Sequence, residues 1–390
     1  MEFSFYSPVK LVFGQPVATA LPAVLTELQV ERVLVLSDAG LAAIGLVDQL
    51  AAQLRTGGWQ VAVFTEVQSN PTVRDVEGAL ALAKEIQAQA LVALGGGSVI
   101  DVGKATGLLM THGGRYAEYQ WGDRPITQPI LPLIAVPTTA GTGSEMTKVT
   151  VIEDEETHFK RGVLSPHLFA HAAVLDPALT LSLPPHLTAA TGVDVVGHAI
   201  EAYVGRRANP ITDALALEAV RRAWQHLPRA TQRGDDLAAR QEMMLASTLA
   251  GLAFDQSGLG IIHSLAGPVA GRYGLHHGLC IGLLLPHGLA YNLPVLPDAP
   301  AQGAGETGLD KRTALLQALD MPASLSDKEV IERIQVWLQD LGLPSTLRQL
   351  EITDPDLPSM AEEASRMTLL PNNPRPATAD DCLRLLEGIV

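Results

Sequence analysis

Apolar positions along the chain fall into two regimes. From Arg32 to Val136, solid apolar runs alternate with segments of helical periodicity: Val33-Leu34-Val35-Leu36, Val61-Ala62-Val63-Phe64, Ala90-Leu91-Val92-Ala93-Leu94 and Leu133-Ile134-Ala135-Val136. Strands buried on both faces read this way, so the first half is expected to form a parallel α/β sheet. Ahead of it, alternation in Phe3-Ser4-Phe5-Tyr6 and Val9 to Phe13 predicts two short strands in an opening hairpin, then a helix over Pro22 to Gln29. Leu181-Ser182-Leu183-Pro184-Pro185 is the strongest punctuation, and strand-like runs thin out after it. A boundary there gives an α/β domain over 1–183 and an all-α domain over 184–390, with helices expected from Ala189 to Tyr203, Asp213 to Gln225 and Asp236 to Phe254.

The 390 residues, 47% of them hydrophobic, suffice for about two domains with proper cores. Acidic residues outnumber basic ones 42 to 27, a formal charge of −15, which speaks against nucleic-acid and anionic-membrane partners. The two cysteines, Cys280 and Cys382, lie far apart in sequence and suggest neither a disulfide framework nor a zinc ribbon, so a reducing cytoplasm is the expected setting. Met1-Glu2-Phe3-Ser4 lacks the features of a secretory signal. The run from Tyr273 to Pro297 holds no acidic or basic residue, but His276, His277, Gly278, Gly282, Pro286 and His287 interrupt it. It is expected as buried helix around a site rather than a membrane span.

Candidate chemistry begins where the third buried run enters Gly95-Gly96-Gly97-Ser98-Val99-Ile100-Asp101. Gly96 and Gly97 let the backbone approach a pyrophosphate, whose charge the unpaired N–H groups of a helix start accept, with Ser98 and Asp101 in the first turn. The pattern is neither the Walker motif nor G-x-G-x-x-G, and a tight turn without a ligand is the plainer alternative. A second such turn, Pro137-Thr138-Thr139-Ala140-Gly141-Thr142-Gly143-Ser144-Glu145, follows the next run. Open α/β sheets bind ligands at the carboxyl ends of strands, and Thr138, Thr139 and Thr142 offer hydroxyls to ribose and amide groups. Asp38, after the first run, suits adenosine ribose hydroxyls and would repel a 2′-phosphate, favouring NAD over NADP; a solvated loop aspartate reads the same way.

In the helical half, Asp194 and His198 stand i, i+4 among apolar neighbours, a carboxylate and an imidazole on one helix face. A buried hydrogen-bonded pair is the alternative. His263 and His277 lie downstream in a charge-poor region, where core histidines are also found. Three imidazoles and one carboxylate together suit Fe²⁺, Zn²⁺, Co²⁺ or Ni²⁺.

Taken in order, Asp38-Ala39-Gly40-Leu41, Asn70-Pro71-Thr72, Gly95 to Lys104, Pro137 to Glu145, Ala190 to Asp194 through His198-Ala199-Ile200-Glu201, His263, His277-Gly278 and Leu285-Pro286-His287 resemble the iron-dependent, or group III, alcohol dehydrogenases over nearly the whole chain. The resemblance implies a dehydroquinate synthase-like architecture, an α/β dinucleotide domain followed by a helical metal domain. It implies metal ligation by Asp194, His198, His263 and His277, with Fe²⁺ the first choice. It implies cofactor contacts from Asp38, Asn70, Gly97, Ser98, Thr138, Thr139, Thr147, Lys160 and Leu179, a substrate cavity lined by Phe254, and a homodimer that gives the Phe3/Phe5 edge a partner. As a plainer alternative, Phe254 is ordinary core.

Two positions depart from the pattern. Where many relatives carry a histidine four residues after the third ligand, this chain has Gly267, and where a small asparagine often follows the last ligand it has Ile281. Both belong to the expected substrate pocket. No fixed catalytic base is assigned; His276 is a candidate relay, with a helix-end role equally natural.

The expected activity is hydride transfer between NAD(H) and a small primary alcohol or aldehyde. The alternatives on the same scaffold are a hydroxyacid dehydrogenase, a hydroxyacid–oxoacid transhydrogenase, a glycerol dehydrogenase or a maleylacetate reductase. A nucleotide-binding assembly protein without chemistry is the alternative from another class.

Overall fold

The protein is described by a computed structural model over residues 2–154, 159–296 and 309–390. One compact unit comprises Ser7–Thr139 and Gly143–Thr180. Its strands are β1 (Lys10–Phe13), β2 (Arg32–Leu36), β3 (Gln60–Phe64), β4 (Ala90–Gly95), β5 (Leu133–Pro137), β6 (Val149–Asp154), β7 (Phe159–Leu164) and β8 (Ala172–Leu175). Six of them form a parallel sheet in the order β1-β8-β5-β4-β2-β3, and β6 and β7 pair as a separate antiparallel hairpin. Helices α1 (Val17–Glu27), α2 (Ala39–Ala43), α3 (Leu46–Thr56), α4 (Val73–Glu85), α5 (Gly97–His112) and α6 (Tyr116–Gln120) accompany it. Two apolar clusters bury the sheet on both faces: Leu34, Leu36, Leu91 and Ala93 pack on one side, Val33, Val35, Val92 and Leu94 on the other. This is why those strands read as unbroken apolar runs.

The opening of the chain differs from the sequence expectation. Phe3 to Tyr6 forms no strand, and β1 pairs in parallel with β8, Lys10 opposite Ala172 and Phe13 opposite Leu175. A two-stranded hairpin is marginal alone, whereas β8 offers a fully buried neighbour inside the sheet. The following helix also starts earlier, at Val17, because Val17, Ala20, Leu21, Val24 and Leu25 make one buried stripe that runs through Pro22. Pro22 has no N–H for the Ala18 carbonyl, and the Gln53 side-chain amide from α3 donates to it instead.

The second unit holds Leu181–Val390 together with Ala140–Thr142 and the residues before Ser7. The division falls at the start of the Leu181 to Pro185 punctuation. Its helices are α7 (Pro185–Val204), α8 (Pro210–Gln232), α9 (Leu237–Ser257), α10 (Ile261–Tyr273), α11 (His277–Asn292), α12 (Lys311–Ala318), α13 (Asp327–Asp340), α14 (Leu357–Ser365) and α15 (Ala379–Glu387). No strand occurs after Leu175 among the described residues. Every residue of α7 from Thr188 to Val204 is buried, which makes it the central helix of this unit. The charge-free run forms the end of α10, α11 and a short 3-10 turn; Pro297 lies outside the described residues. By length and composition His277–Val295 could cross a membrane, and 67% of that apolar window is buried within the protein.

Candidate metal centre and nucleotide turns

Asp194 and His198 project from the same face of α7, one turn apart, and both are buried. Helix α10 brings His263 and the first residue of α11 brings His277. From Asp194 Oδ1 the distances are 3.5 Å to His263 Nε2, 3.7 Å to His198 Nδ1 and 3.8 Å to His277 Nε2. The ligand atoms of Asp194, His263 and His277 all lie within 4.8 Å of one another. The His198 ring stacks on His263 at 4.5 Å between centroids and on Phe254 at 4.4 Å on its other side. Three of the sequence-predicted ligands, Asp194, His263 and His277, therefore form one cluster, and His198 lies against it beside Asp194 and His263.

Asp194 Oδ1, His198 Nδ1 and His263 Nε2 are buried and have no hydrogen-bond partner. Leaving one such atom unpaired costs about 1–3 kcal/mol, so three on neighbouring side chains call for a compensating group. Donors about 2.0–2.2 Å from a tetrahedral ion lie roughly 3.4 Å from each other, close to the separations found. An imidazole and carboxylate set at this spacing fits a borderline divalent metal. The His277 side chain is 42% exposed, against 4% for Asp194 and His263, so the cluster is open to solvent on the His277 side.

The electrostatics agree. Burial would raise the Asp194 carboxyl, but the surrounding His198, His277 and His263 hold it well below the ordinary carboxylate range. Burial pushes His198 down to about 3 despite Asp194 and a hydrogen bond with the Gly141 backbone, so it is a neutral imidazole. Burial also disfavours charge on His263, yet the Asp194 and Glu201 carboxylates beside it hold it up to about 9. A cation placed among these groups would displace that proton.

Sequence reasoning misses two features of the site. Glu201, one turn beyond His198 on α7, accepts from His263 Nδ1 at 2.6 Å. A lone carboxylate among Ala199, Ile200, Ala202 and Tyr203 is the signal that could have found it. Gly278 is the second: a Cβ there would sit 1.9 Å from the Ala190 carbonyl oxygen, so α11 approaches α7 closely just where His277 is carried.

Of the expected pocket residues, Phe254 is half-buried against His198. Gly267 is half-buried, and a Cβ there would meet only Met367 Cε at 3.5 Å. Ile281 is fully buried, packed against Gly197. His276 is the N-cap of α11 and accepts from the Gly278 N–H at 3.2 Å, and burial lowers its pKa although Asp194 opposes this.

In the other unit the two glycine-rich turns lie side by side. The Thr138 N–H donates to the Gly95 carbonyl at 3.1 Å, and a Cβ on Gly96 would lie 3.4 Å from Thr139 Oγ1. Gly96 is the N-cap of α5, with no side-chain capping bond at the helix start. Ser98 donates to the Ser69 carbonyl at 2.6 Å, beside the exposed Asn70. Asp38 caps α2 by accepting from the Leu41 N–H at 2.9 Å, and Leu41 and Leu179 pack on the same apolar cluster. Lys160 lies on β7 in register with Glu153. Thr142 belongs to the three-residue stretch that goes with the helical unit.

Asp101 and Thr147 are engaged inside the unit. Asp101 accepts from Ser144 Oγ at 2.6 Å and from the Val151 N–H at 2.9 Å. The fully buried Lys104 ammonium reaches Thr147 Oγ1, Ser144 Oγ and the Ser144 and Val149 carbonyls at 2.7–3.1 Å. These bonds tie α5 to the end of the second turn. Next to them burial pushes the Glu145 carboxyl up to about 7, opposed by its own backbone N–H and by Lys104.

Comparison with known proteins gives the same grouping. The family described as iron-containing alcohol dehydrogenase matches residues 8–177, and the Fe-containing alcohol dehydrogenase family, C-terminal, matches 188–390. The chain is 33% identical over 390 residues to the NAD-dependent methanol dehydrogenase of Bacillus methanolicus, covering 99% of both. It is 38% identical over 396 residues to the 4-hydroxybutyrate dehydrogenase of Cupriavidus necator, again covering 99% of both. Among solved structures, sulfoacetaldehyde reductase from Bifidobacterium kashiwanohense in complex with NAD⁺ superposes with a TM-score of 0.87 at 27% identity, covering 100% of this chain and 99% of that one. The parallel-sheet unit, the helical unit and the ligand cluster agree with these matches: the chain belongs to the iron-containing alcohol dehydrogenase family, oxidoreductases that use NAD(H) and a divalent metal.

Proposed function

We propose that this protein moves hydride reversibly between NAD(H) and a small primary alcohol or aldehyde at a centre held by Asp194, His198, His263 and His277. The observation that carries this reading is the set of three buried, unpartnered atoms on Asp194, His198 and His263, with the more exposed His277 beside them. When bound, the ion supplies Lewis acidity toward a hydroxyl or carbonyl oxygen and NAD(H) supplies the two-electron chemistry. The chain's own residues bind and orient. Gly96, Gly97 and Ser98 receive the pyrophosphate at the start of α5, and Asp38 accepts from adenosine ribose while disfavouring a 2′-phosphate. Thr138, Thr139 and Thr142 address ribose and amide groups, and Asn70, Lys160 and Leu179 complete the cofactor contacts. Asp101 and Thr147 are counted with the cofactor contacts too, and their bonds to Ser144, Val151 and Lys104 brace the turns. Phe254, Gly267 and Ile281 shape the substrate side, and no side chain is assigned as a fixed base.

In this reading residues 1–183 serve the nucleotide and 184–390 the metal and substrate. Exposed Phe3 and Tyr6, and exposed Leu11 on the edge strand β1, support a homodimer. The net charge of −15 supports the absence of nucleic-acid partners, and two buried cysteines suit the cytoplasm. The mostly buried run in α11 is best taken as core rather than a membrane span.

The test is NADH oxidation by protein reconstituted anaerobically with Fe²⁺, across aldehydes and oxoacids, with His263→Ala as control. Aldehyde turnover that vanishes in the control supports the reading. Turnover confined to oxoacids replaces it with a hydroxyacid dehydrogenase, and no turnover by metal-loaded, NADH-binding wild type overturns the reductase activity for that panel.

A further inference from the structure

The helix that carries His263 begins in a place where its first N–H groups have no helical partners and no access to water. Buried side chains from elsewhere in the chain take them up. Glu201 Oε1 accepts from the Ile262 N–H at 2.6 Å, and Glu201 Oε2 accepts from the His263 N–H at 3.4 Å as well as from His263 Nδ1 at 2.6 Å. Asn373 Oδ1 accepts from the Ile261 N–H at 3.2 Å and from the Asn292 amide, on the last residue of α11, at 3.0 Å. Asn373 returns a bond to Asn292 Oδ1 at 2.8 Å, so it joins the first turn of α10 to the end of the helix that begins with His277. Gly260 makes room for both caps: a Cβ there would lie 2.8 Å from Asn373 Oδ1 and 3.1 Å from Glu201 Oε1.

An imidazole that gives its Nδ1 proton to a carboxylate keeps the lone pair on Nε2, and its ring cannot turn without breaking that bond. His263 Nε2 is the atom left without a partner, facing Asp194 Oδ1. We propose that Glu201 is a positioning residue of the metal centre, fixing the tautomer and ring orientation of His263 while its carboxylate, with Asn373, anchors the start of α10. This rests on the ligand assignment made above. Glu201 touches neither reacting atoms nor cofactor in this role; it acts through His263.

The experiment uses the full chain, with zinc as the probe, in the wild type, Glu201→Gln and His263→Ala. Zinc affinity is read by chelator competition, and imidazole ¹⁵N and ¹H resonances are read after selective histidine labelling. Glu201→Gln, which keeps the side-chain volume, is expected to bind zinc about 10 to 100-fold more weakly. It is also expected to lose the strongly downfield Nδ1 proton signal of His263 that the zinc-loaded wild type shows and His263→Ala lacks. Unchanged zinc affinity together with an unchanged His263 signal overturns the proposal. If Glu201→Gln does not fold, the wild-type spectrum decides alone: a His263 ring protonated at Nε2 and bound through Nδ1 overturns it, and the reverse supports it. Failure of the wild type to bind one zinc, or His263→Ala binding as tightly as the wild type, overturns the ligand assignment instead, so the two failures are separable.

Discussion

Gly278 of α11 faces the Ala190 carbonyl of α7 so closely that a Cβ would sit 1.9 Å from the oxygen and 2.6 Å from its carbon. Both atoms it would strike are backbone, so no rotamer change relieves the clash. Gly278→Ala must push the two helices apart, and overpacking of this kind costs about 1–3 kcal/mol or somewhat more. The expected outcome is a lower midpoint in urea unfolding of the metal-free protein and a metal affinity reduced beyond that of the unmodified chain, because His277 moves with α11. A midpoint unchanged within error would show that the helices yield freely.

Removal of the metal should cost stability in proportion to its affinity. An ion present at 100 times its dissociation constant adds about 2.7 kcal/mol to a folded protein that alone binds it. Thermal unfolding with and without a chelator is expected to show that difference in the wild type and none in His198→Ala. An equal chelator effect in both proteins would place the ion elsewhere.

The buried Glu145 carboxyl titrates near 7 instead of its usual 4.5 because burial disfavours its charge. The folded state then binds the proton more tightly than the unfolded one. This contribution is fully present below about pH 4.5 and is lost as the pH rises through 7, a change of about 3 kcal/mol. Glu145→Gln should be flatter than the wild type across that window in unfolding measured from pH 4.5 to 8. Parallel curves for the two proteins would refute the assignment.

Asp38→Gly tests cofactor selection with little structural confusion. Glycine is itself a tolerable N-cap, so losing the bond from the Leu41 N–H costs α2 only a few tenths of a kcal/mol. The ratio of kcat/KM for NADPH to that for NADH is expected to rise, chiefly through KM for NADPH. A ratio that stays at the wild-type value would remove Asp38 from the ribose site.

Gly267 lies inside α10, and a Cβ added there would meet only Met367 Cε at 3.5 Å, an ordinary contact. Gly267→Ala should therefore raise stability by up to about 1 kcal/mol through helix propensity. If this position borders the substrate, KM for the bulkier aldehydes in a series should rise while KM for NADH stays fixed. Equal KM values throughout the series would exclude it from the pocket.

The parallel sheet was legible because β2, β3, β4 and β5 are buried enough to read as apolar runs. The four-residue β8 was not, since Ala172-Ala173-Val174-Leu175 is too short to distinguish from a helix fragment, and β1 reads as the partner of a sequence neighbour because pairing with a distant strand leaves no local mark. At the site, the i, i+4 spacing exposed Asp194 and His198, while His263 and His277 carried only the weaker mark of a charge-poor setting, their helices being brought to the pair by packing. Asp101 shows the limit of motif reading. It sits where a ligand contact is expected, and its two carboxylate oxygens also accept bonds from Ser144 and Val151, a bracing role that only coordinates reveal. Glu201 was hidden for the opposite reason: its partner, the His263 ring, comes from another helix.

The pairing of β1 with β8 also sets an order of events during synthesis. Lys10 must wait for Ala172, and at about 5–20 residues per second its neighbour emerges from the ribosome roughly ten to thirty seconds later. Until then the other strands of the sheet can assemble among themselves, and β1, which comes first in chain order within this sheet, is the last that can dock. The nascent chain therefore carries an undocked apolar segment, Leu11-Val12-Phe13, through most of the assembly of its parallel-sheet unit, and chaperone attention should concentrate there.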